Sequence, residues 1–176
     1  DLNILWYAMR VPYSREVLFK KHLDSMKVEN FIPMHYQLIE KNGMKSKQLV
    51  PVIHNLIFVR SCRNILDDIK SDIEGKIPSR YIIDKSIKKP LIVPDSQMSD
   101  FIAIAKTYDE EIVYLNPSEI QLRKGDKVRI TKGALAGVEG EFIRIKGDRR
   151  VVVSINGLMS IATAFIAPYM LEKIEI

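Results

Sequence analysis

The chain has 176 residues, of which 47% are hydrophobic and 28% charged, which is the ordinary balance of a soluble protein with one or two domains. No stretch approaches the roughly 18 apolar residues of a membrane span, no signal pattern opens the chain, and a single cysteine, Cys62, excludes an intrachain disulfide, so a cytoplasmic protein is expected. The net charge of +5 and the isoelectric point near 9.2 are compatible with a polyanionic partner but do not require one.

The chain opens with a strand pattern followed by a helix pattern. Residues 5–11 are rich in aromatic and branched side chains and end before Pro12, which favours a strand. Ser14 is a suitable N-cap, and Phe19, Leu23 and Met26 then recur at helical spacing. We therefore predict a strand followed by an amphipathic helix that presents one apolar face to a core.

A basic hairpin is predicted next. Residues 31–38 have strand composition, Asn42-Gly43 is the strongest short hairpin signal, and residues 45–53 form the return arm. The tip carries three lysines, which are candidates for nucleic-acid binding: Lys41, Lys45 and Lys47.

The remainder of the first hundred residues predicts a central strand at 56–60, a helix capped by Asn64, a strand at 81–83 and a helix that begins at Asp95 or Ser96. The element order β-α-β-β-β-α-β-α is typical of an α+β domain in which helices pack on a mostly antiparallel sheet.

A second, smaller domain is predicted after an acidic segment that contains Asn-Pro. Runs of alternating apolar residues at 127–130, 142–145 and 150–155 are separated by glycines at 133, 137, 140 and 147, which is the punctuation of a small antiparallel sheet. We place an N-terminal domain at 4–106, a linker at 107–121 and the second domain at 122–176.

These patterns together resemble the NusG family of transcription elongation factors. The resemblance rests on Leu5-Trp6-Tyr7, on the central residues 51–59 (PVIHNLIFV), on Pro90 to Pro94 and on GDKVRITKG followed by GVEG, which is similar to a KOW motif. It implies that the second domain is an SH3-like β-barrel. Within the family the chain is more similar to the operon-specific RfaH and UpxY antiterminators of capsular polysaccharide operons than to the general factor.

The resemblance also implies a binding surface for RNA polymerase. In the family the N-terminal sheet presents an apolar patch to the clamp helices of the largest catalytic subunit. The matching positions here are Arg10, Ile53, Leu56 and Phe58. Leu56 and Phe58 lie two residues apart and share a face, which is an interface if that face is uncovered and core if a helix of the same domain covers it. The lysine hairpin would then face upstream or non-template DNA.

Two alternatives stay open. The first is an RNA-binding or ribosome-associated module in which cations of the KOW domain contact phosphates: Arg129, Lys132, Arg144, Lys146, Arg149 and Arg150. The second is a general factor that couples polymerase to Rho or to a ribosomal protein through KOW residues that include Arg129, Arg144 and Asn156. Asn156 stands where the general factor has a phenylalanine, which argues against the second alternative.

Nothing in the sequence predicts catalysis, a metal site or a cofactor. The three histidines are scattered, and the single thiol has no partner histidine at a recognisable spacing. We therefore expect a binding protein, not an enzyme, that acts as a monomer.

Overall fold

The computed structural model describes residues 3–120, 124–155 and 157–174. The chain forms two compact units, Asp1–Asp95 and Ser96–Ile176. None of the helices in the described parts of the chain is both long and apolar enough to span a membrane.

The first unit is built on a five-stranded sheet with the order β2-β5-β1-β6, to which β9 adds by pairing with β1. In chain order its elements are β1 (Leu5–Arg10), α1 (Glu16–Ser25), β2 (Glu29–Phe31), β3 (Met34–Lys41), β4 (Met44–Pro51), β5 (Leu56–Ser61), α2 (Arg63–Ile73), β6 (Arg80–Tyr81), β7 (Ile83–Asp84), β8 (Lys89–Pro90) and β9 (Ile92–Val93). All pairings in the sheet are antiparallel, which confirms the predicted mixed fold.

One face of this sheet packs against both helices. β1 and β5 contribute Tyr7, Met9, Ile57 and Val59 to a buried cluster. The helices complete that cluster with Phe19 and Leu23 from α1 and Leu66 and Ile69 from α2. The apolar spacing in the sequence therefore predicts both helices and the face that each buries.

Several local predictions are wrong at element ends. Arg15, not Ser14, is the N-cap of α1, because Ser14 has a left-handed φ of 53° and its backbone N–H donates to Oδ1 of Asn55 at 2.8 Å. Met26 follows the last turn of α1 as its C-cap and is 46% exposed. Cys62, not Asn64, precedes α2. The start of α1 depends on the contact with Asn55, which is distant in the sequence, and the other ends depend on the conformation of the adjoining loops. The capping preference of a single residue does not include either effect.

The predicted strand at 31–38 is two strands. Pro33 has no N–H for a ladder, and it lies between β2, which pairs with β5, and β3, which pairs with β4. Consequently β3 and β4 form a separate two-stranded hairpin. Asn42 and Gly43 have φ values of 54° and 74° at its tip, as the predicted Asn-Gly turn requires.

The second unit contains a six-stranded antiparallel sheet with the order β10-β14-β13-β12-β11-β15. Its elements are α3 (Asp95–Ala105, of which Asp95 belongs to the first unit), β10 (Val113–Leu115), α4 (Pro117–Ile120), β11 (Asp126–Ile130), β12 (Glu139–Ile145), β13 (Asp148–Ile155), β14 (Met159–Ala162), a 3-10 turn (Pro168–Met170) and β15 (Leu171–Lys173). In the described part of the chain β10 and β15 do not pair, so the sheet is open and the predicted closed barrel is not observed. Gly140 allows β12 to approach β13, because a Cβ there would lie 2.5 Å from the Val152 carbonyl oxygen.

The division into units differs from the predicted domain limits. Helix α3, which the sequence assigns to the N-terminal domain, groups with the second unit, where the Gln97 side chain donates to the Ser154 carbonyl and the Phe101 ring lies 6.5 Å from that of Tyr114. The segment predicted as a linker contains β10, which pairs with β14. Apolar residues of that segment, including Leu115, join a buried cluster.

Arg150 connects several parts of the second unit. It is 6% exposed, its Nε donates to the Ile145 carbonyl at 3.1 Å, and its Nη1 donates to the carbonyls of Glu111 and Thr163. Asp148 lies 3.6 Å from its Nη2. One buried guanidinium thus joins the β12–β13 turn, the end of β14 and the segment before β10. This is a structural role and not the phosphate contact that the sequence suggested.

We expect Arg150→Met to destabilise the protein by about 3 kcal/mol or more, because it leaves buried carbonyls without their donor. Arg149→Met is the matched control. The Arg149 side chain is exposed and stacks over Phe142 at 4.8 Å, so its loss should cost about 1 kcal/mol or less. Denaturant unfolding of both variants measures the difference, and equal stabilities would contradict the role given to Arg150.

Candidate functional site

The candidate site is the face of the first sheet opposite the helices. In the β1–β5 register, Ala8 lies opposite Phe58 and Arg10 lies opposite Leu56. Directly opposed residues of antiparallel strands point to the same face, so these four side chains share one surface. We call this surface the Leu56 face. It also contains Arg60, which lies opposite Trp6.

The apolar part of the Leu56 face is buried. Leu56 is 1% exposed and Phe58 is 0% exposed. Of the two alternatives for these side chains, their burial favours a core position in the free chain, and their role in binding stays a prediction. Leaving both side chains in water would cost about 1.5–3 kcal/mol each, which explains why the fold covers them. Ile53, the remaining apolar position, is half-buried in the turn between β4 and β5.

The polar end of the Leu56 face is accessible. Arg10 is half-buried at the end of β1, and the residue directly opposite it on β6 is the exposed Arg80. Neither guanidinium has a hydrogen bond or an ion pair within the described residues. Arg60, at the opposite end, is already engaged by Glu29 at 3.5 Å and Asp95 at 3.4 Å. The Leu56 face therefore ends in two adjacent cations without counter-charges.

Tyr81 fixes the strand that carries Arg80. Its hydroxyl donates to Oδ1 of Asp67 at 2.7 Å, and its ring lies 4.4 Å from both the Arg63 guanidinium and the Lys70 ammonium. Burial and this hydrogen bond raise the pKa of Tyr81 above its ordinary value. Burial alone would raise the pKa of Asp67, but the bonds from Tyr81 and Arg63 outweigh it and hold that pKa low. Arg80 is thus anchored by its neighbour on the other face.

The loop beside Arg10 is also fixed. Asn55 accepts from the backbone N–H of Val11 through its carbonyl and from that of Ser14 through its side chain, both at 2.8 Å. Tyr13, Ser14 and Asn55 all have positive φ, a strained conformation that persists only where its surroundings impose it. The Arg15 guanidinium donates to the Lys76 carbonyl at 2.7 Å and lies 5.5 Å from the Tyr13 ring. The loop that follows Arg10 is therefore held in place at several points.

The three hairpin lysines are exposed but do not share one face. Lys45 and Lys47 lie opposite Glu40 and Leu38 on one side of the β3–β4 ribbon, whereas Lys41 lies opposite Met44 on the other side. The first side also presents two apolar residues, Tyr36 (51% exposed) and Leu38 (60% exposed). The second side presents Met44, which is 76% exposed. Each side of the hairpin tip thus carries both charged and apolar side chains.

The predicted partner-binding residues of the second unit are occupied or lie outside the described residues. Arg129 donates to Glu139 and Glu172 at 2.6 Å each, and these carboxylates raise the pKa of its guanidinium. Arg144 donates to the Gly147 carbonyl at 2.8 Å. Asn156 lies outside the described residues. Arg129 and Arg144 are therefore engaged within the unit, and the role of all three residues stays a prediction.

Charge is divided unequally between the units. The first has 16 Lys and Arg against 11 Asp and Glu, a net charge of +5, whereas the second has 11 of each. The net positive charge of the chain thus comes from the unit that carries the Leu56 face and the hairpin. No group of side chains suited to a metal ion occurs within the described ranges.

The sequence did not single out Arg80. It lies 70 positions from Arg10, so only the β1–β6 register brings the two together. The signal in the sequence is an arginine at the start of a short strand pattern. An arginine in that position ordinarily indicates the solvent-exposed edge of a sheet.

Comparison with known proteins gives a family match. The family described as transcription termination factor nusG matches residues 5–102. No curated protein sequence matches the chain. A solved structure from Thermotoga maritima, described as domain interaction in NusG, is 19% identical, with 98% of each chain covered and a TM-score of 0.47.

We expect Leu56→Asp to destabilise the free protein by about 3 kcal/mol or more, because a carboxylate would replace a buried side chain without a partner. Leu38→Asp makes the same chemical change at an exposed hairpin position and should shift stability by about 0.5 kcal/mol or less. Thermal unfolding of both variants tests this. An unchanged unfolding midpoint for Leu56→Asp would show that the residue is accessible in solution.

Proposed function

Because the chain belongs to the NusG family of transcription elongation and termination factors, which bind RNA polymerase, we propose that it binds polymerase through the Leu56 face and promotes processive elongation. The finer proposal is antitermination of particular operons of the capsular polysaccharide type. The partner element is the pair of clamp helices on the largest catalytic subunit, whose apolar side chains suit an apolar groove. We place this activity in the cytoplasm and the factor in a monomeric state.

One observation carries the proposal. The residues that match the family, 5–102, include every strand of the first sheet, so the match covers the unit that bears the Leu56 face and the net charge of +5. A basic unit is suited to the surroundings of polymerase, where nucleic acid and acidic protein surfaces are the available partners.

Polymerase binding through Leu56 and Phe58 requires that these side chains become accessible. Both are buried here, whereas Arg10 and Arg80 at the end of the same face can be reached. We propose that contact begins at the charged end and that the apolar part is uncovered as the partner docks. A factor held on the clamp in this way would oppose backtracking and pausing.

The lysine hairpin would contact DNA beside the docked factor. Its two eight-residue strands extend about 25 Å at 3.3 Å per residue, far enough to reach beyond the sheet to upstream or non-template DNA. The lysines on both sides of the tip allow phosphate contact from either direction.

For the second unit we propose a closed SH3-like KOW barrel at residues 122–176, preceded by the linker 107–121 and by an N-terminal domain at 4–106. The order β11-β12-β13-β14 supports this, because consecutive strands pair as a meander, and β15 returns to β11. Its partner would be a ribosomal protein or Rho, with Arg129, Arg144 and Asn156 as contacts.

The RNA-binding alternative is less favoured. The second unit has no net charge, Arg129 is paired with two glutamates and Arg150 is buried. Phosphate contact would have to displace these existing partners. The general coupling factor differs from our proposal only in its partner.

The direct test of function is a single-round transcription assay with purified RNA polymerase on a template that carries a terminator. Addition of the chain should increase read-through and shorten pauses, and it should co-purify with the polymerase. Decreased read-through would support a termination factor instead, and no co-purification would contradict the proposal as a whole.

We expect replacement of Lys41, Lys45 and Lys47 by glutamine to weaken binding to an elongation complex and to reduce its salt dependence by about 2–3 units of slope, roughly one per phosphate contact. The same replacement of Lys85, Lys88 and Lys89, which are exposed around the β7–β8 turn, removes equal charge and should leave the slope unchanged. Titration at several salt concentrations measures both slopes. Equal slopes for the two triple variants would exclude the hairpin as the DNA contact.

A further inference from the structure

We infer that Arg10 and Arg80 form a receptor for a carboxylate of the polymerase surface that docks on the Leu56 face. This inference rests on the proposed function. It adds Arg80 to the binding surface and specifies the chemistry of the partner, which must present an acidic side chain beside its apolar contact.

The first argument is the register of the two arginines. They lie directly opposite each other in the β1–β6 pair, where Cβ atoms are about 4.5–5.5 Å apart and like charges are destabilising. No described carboxylate pairs with either guanidinium. Arg60 and Arg63, by contrast, each have an acidic partner. The free chain thus keeps an uncompensated pair of cations at the end of this face.

The second argument concerns desolvation. Leu56 is buried in the free chain, and Arg10 lies opposite it at the accessible end of the face, so a partner seated on that end removes water from the Arg10 guanidinium. A desolvated cation is costly unless a counter-charge replaces its water, and two adjacent cations raise that cost. A partner that binds here must therefore supply an anion, and a carboxylate can accept from two guanidinium groups at once.

The third argument distinguishes a protein carboxylate from a phosphate of nucleic acid. Arg10 is half-buried beside Leu56, which is buried in the free chain. Because the proposed docking uncovers Leu56, the anion must belong to a body that also presents apolar surface. A nucleic-acid backbone has no such surface, whereas an amphipathic helix with one acidic residue beside its apolar stripe has both. The hairpin lysines, by contrast, are exposed.

The receptor is preorganised. Tyr81 anchors β6 through Asp67, and Asn55 fixes the loop that follows Arg10, so both guanidinium groups project from restrained backbone. Restraint of this kind lowers the entropic cost of binding.

The test uses the full chain and DNA-free core RNA polymerase. Arg80→Glu should weaken binding by about 100-fold and Arg80→Gln by about tenfold, because reversal adds repulsion to the lost contact. Lys85→Glu makes the same charge change at an exposed position of the same unit and should alter affinity by less than about threefold. The unfolding midpoint of Arg80→Glu should stay unchanged or rise, since the substitution replaces a repulsive cross-strand pair with an attractive one.

The outcomes separate the inference from the proposed function. If the parent chain does not bind core polymerase, both fail. If the parent binds and Arg80→Glu binds equally, or loses binding only together with a lowered unfolding midpoint, the carboxylate receptor is wrong and the proposed function stands. If Arg80→Glu loses affinity for a single-stranded oligonucleotide but keeps its affinity for core polymerase, the ligand is nucleic acid and the inference is overturned.

Discussion

The pairing of β1 with β5 is the constraint on which the rest of the first unit depends. These strands are central in the sheet and have both faces in use, so each residue is assigned by its register either to the helix-packed core or to the Leu56 face. A slip of β1 by one residue would exchange its two faces, placing Arg10 beneath the helices and moving Tyr7 and Met9 out of the core. The alternation of side chains along β1 and β5 therefore sets both the core and the proposed binding face.

The two units differ in their net charge and in how their arginines are paired. In the second unit two arginines are engaged internally: Arg150 is buried against carbonyls, and Arg129 lies between Glu139 and Glu172. In the first unit Arg10 and Arg80 lie opposite each other with no described carboxylate as a partner. This unit also carries the net charge of +5, which is why we propose it as the unit that meets the larger charged partner.

Much of the fold was predictable because apolar spacing is a local property. The positions of α1, α2, β5 and the Asn42-Gly43 turn follow from periodicity and from the φ values that asparagine and glycine tolerate. The features that the sequence leaves open have a different cause. The break at Pro33, the pairing of β10 with β14 and the burial of Leu56 depend on which distant segment lies alongside, and one sequence does not contain that information.

The candidate site was predictable only in part for the same reason. Arg10 and Leu56 were identified from the family resemblance, and the structure places them opposite each other. The sequence does not identify Arg80 as a site residue, because its position opposite Arg10 depends on a cross-strand pairing between residues 70 positions apart. The sequence suggests a surface position for Arg150, because an arginine after a Gly-Asp turn ordinarily lies at the surface. In the structure it donates to carbonyls from two other segments.

The central claim, that the first unit and not the second docks on polymerase, is tested most directly by site-specific photo-crosslinking. A photoreactive phenylalanine derivative at Ile83, which is 50% exposed two residues beyond β6, is compared with one at Phe165 of the second unit, which is 54% exposed. Upon irradiation with core RNA polymerase, we predict an adduct to the largest catalytic subunit from position 83. An adduct from position 165 alone would contradict the account.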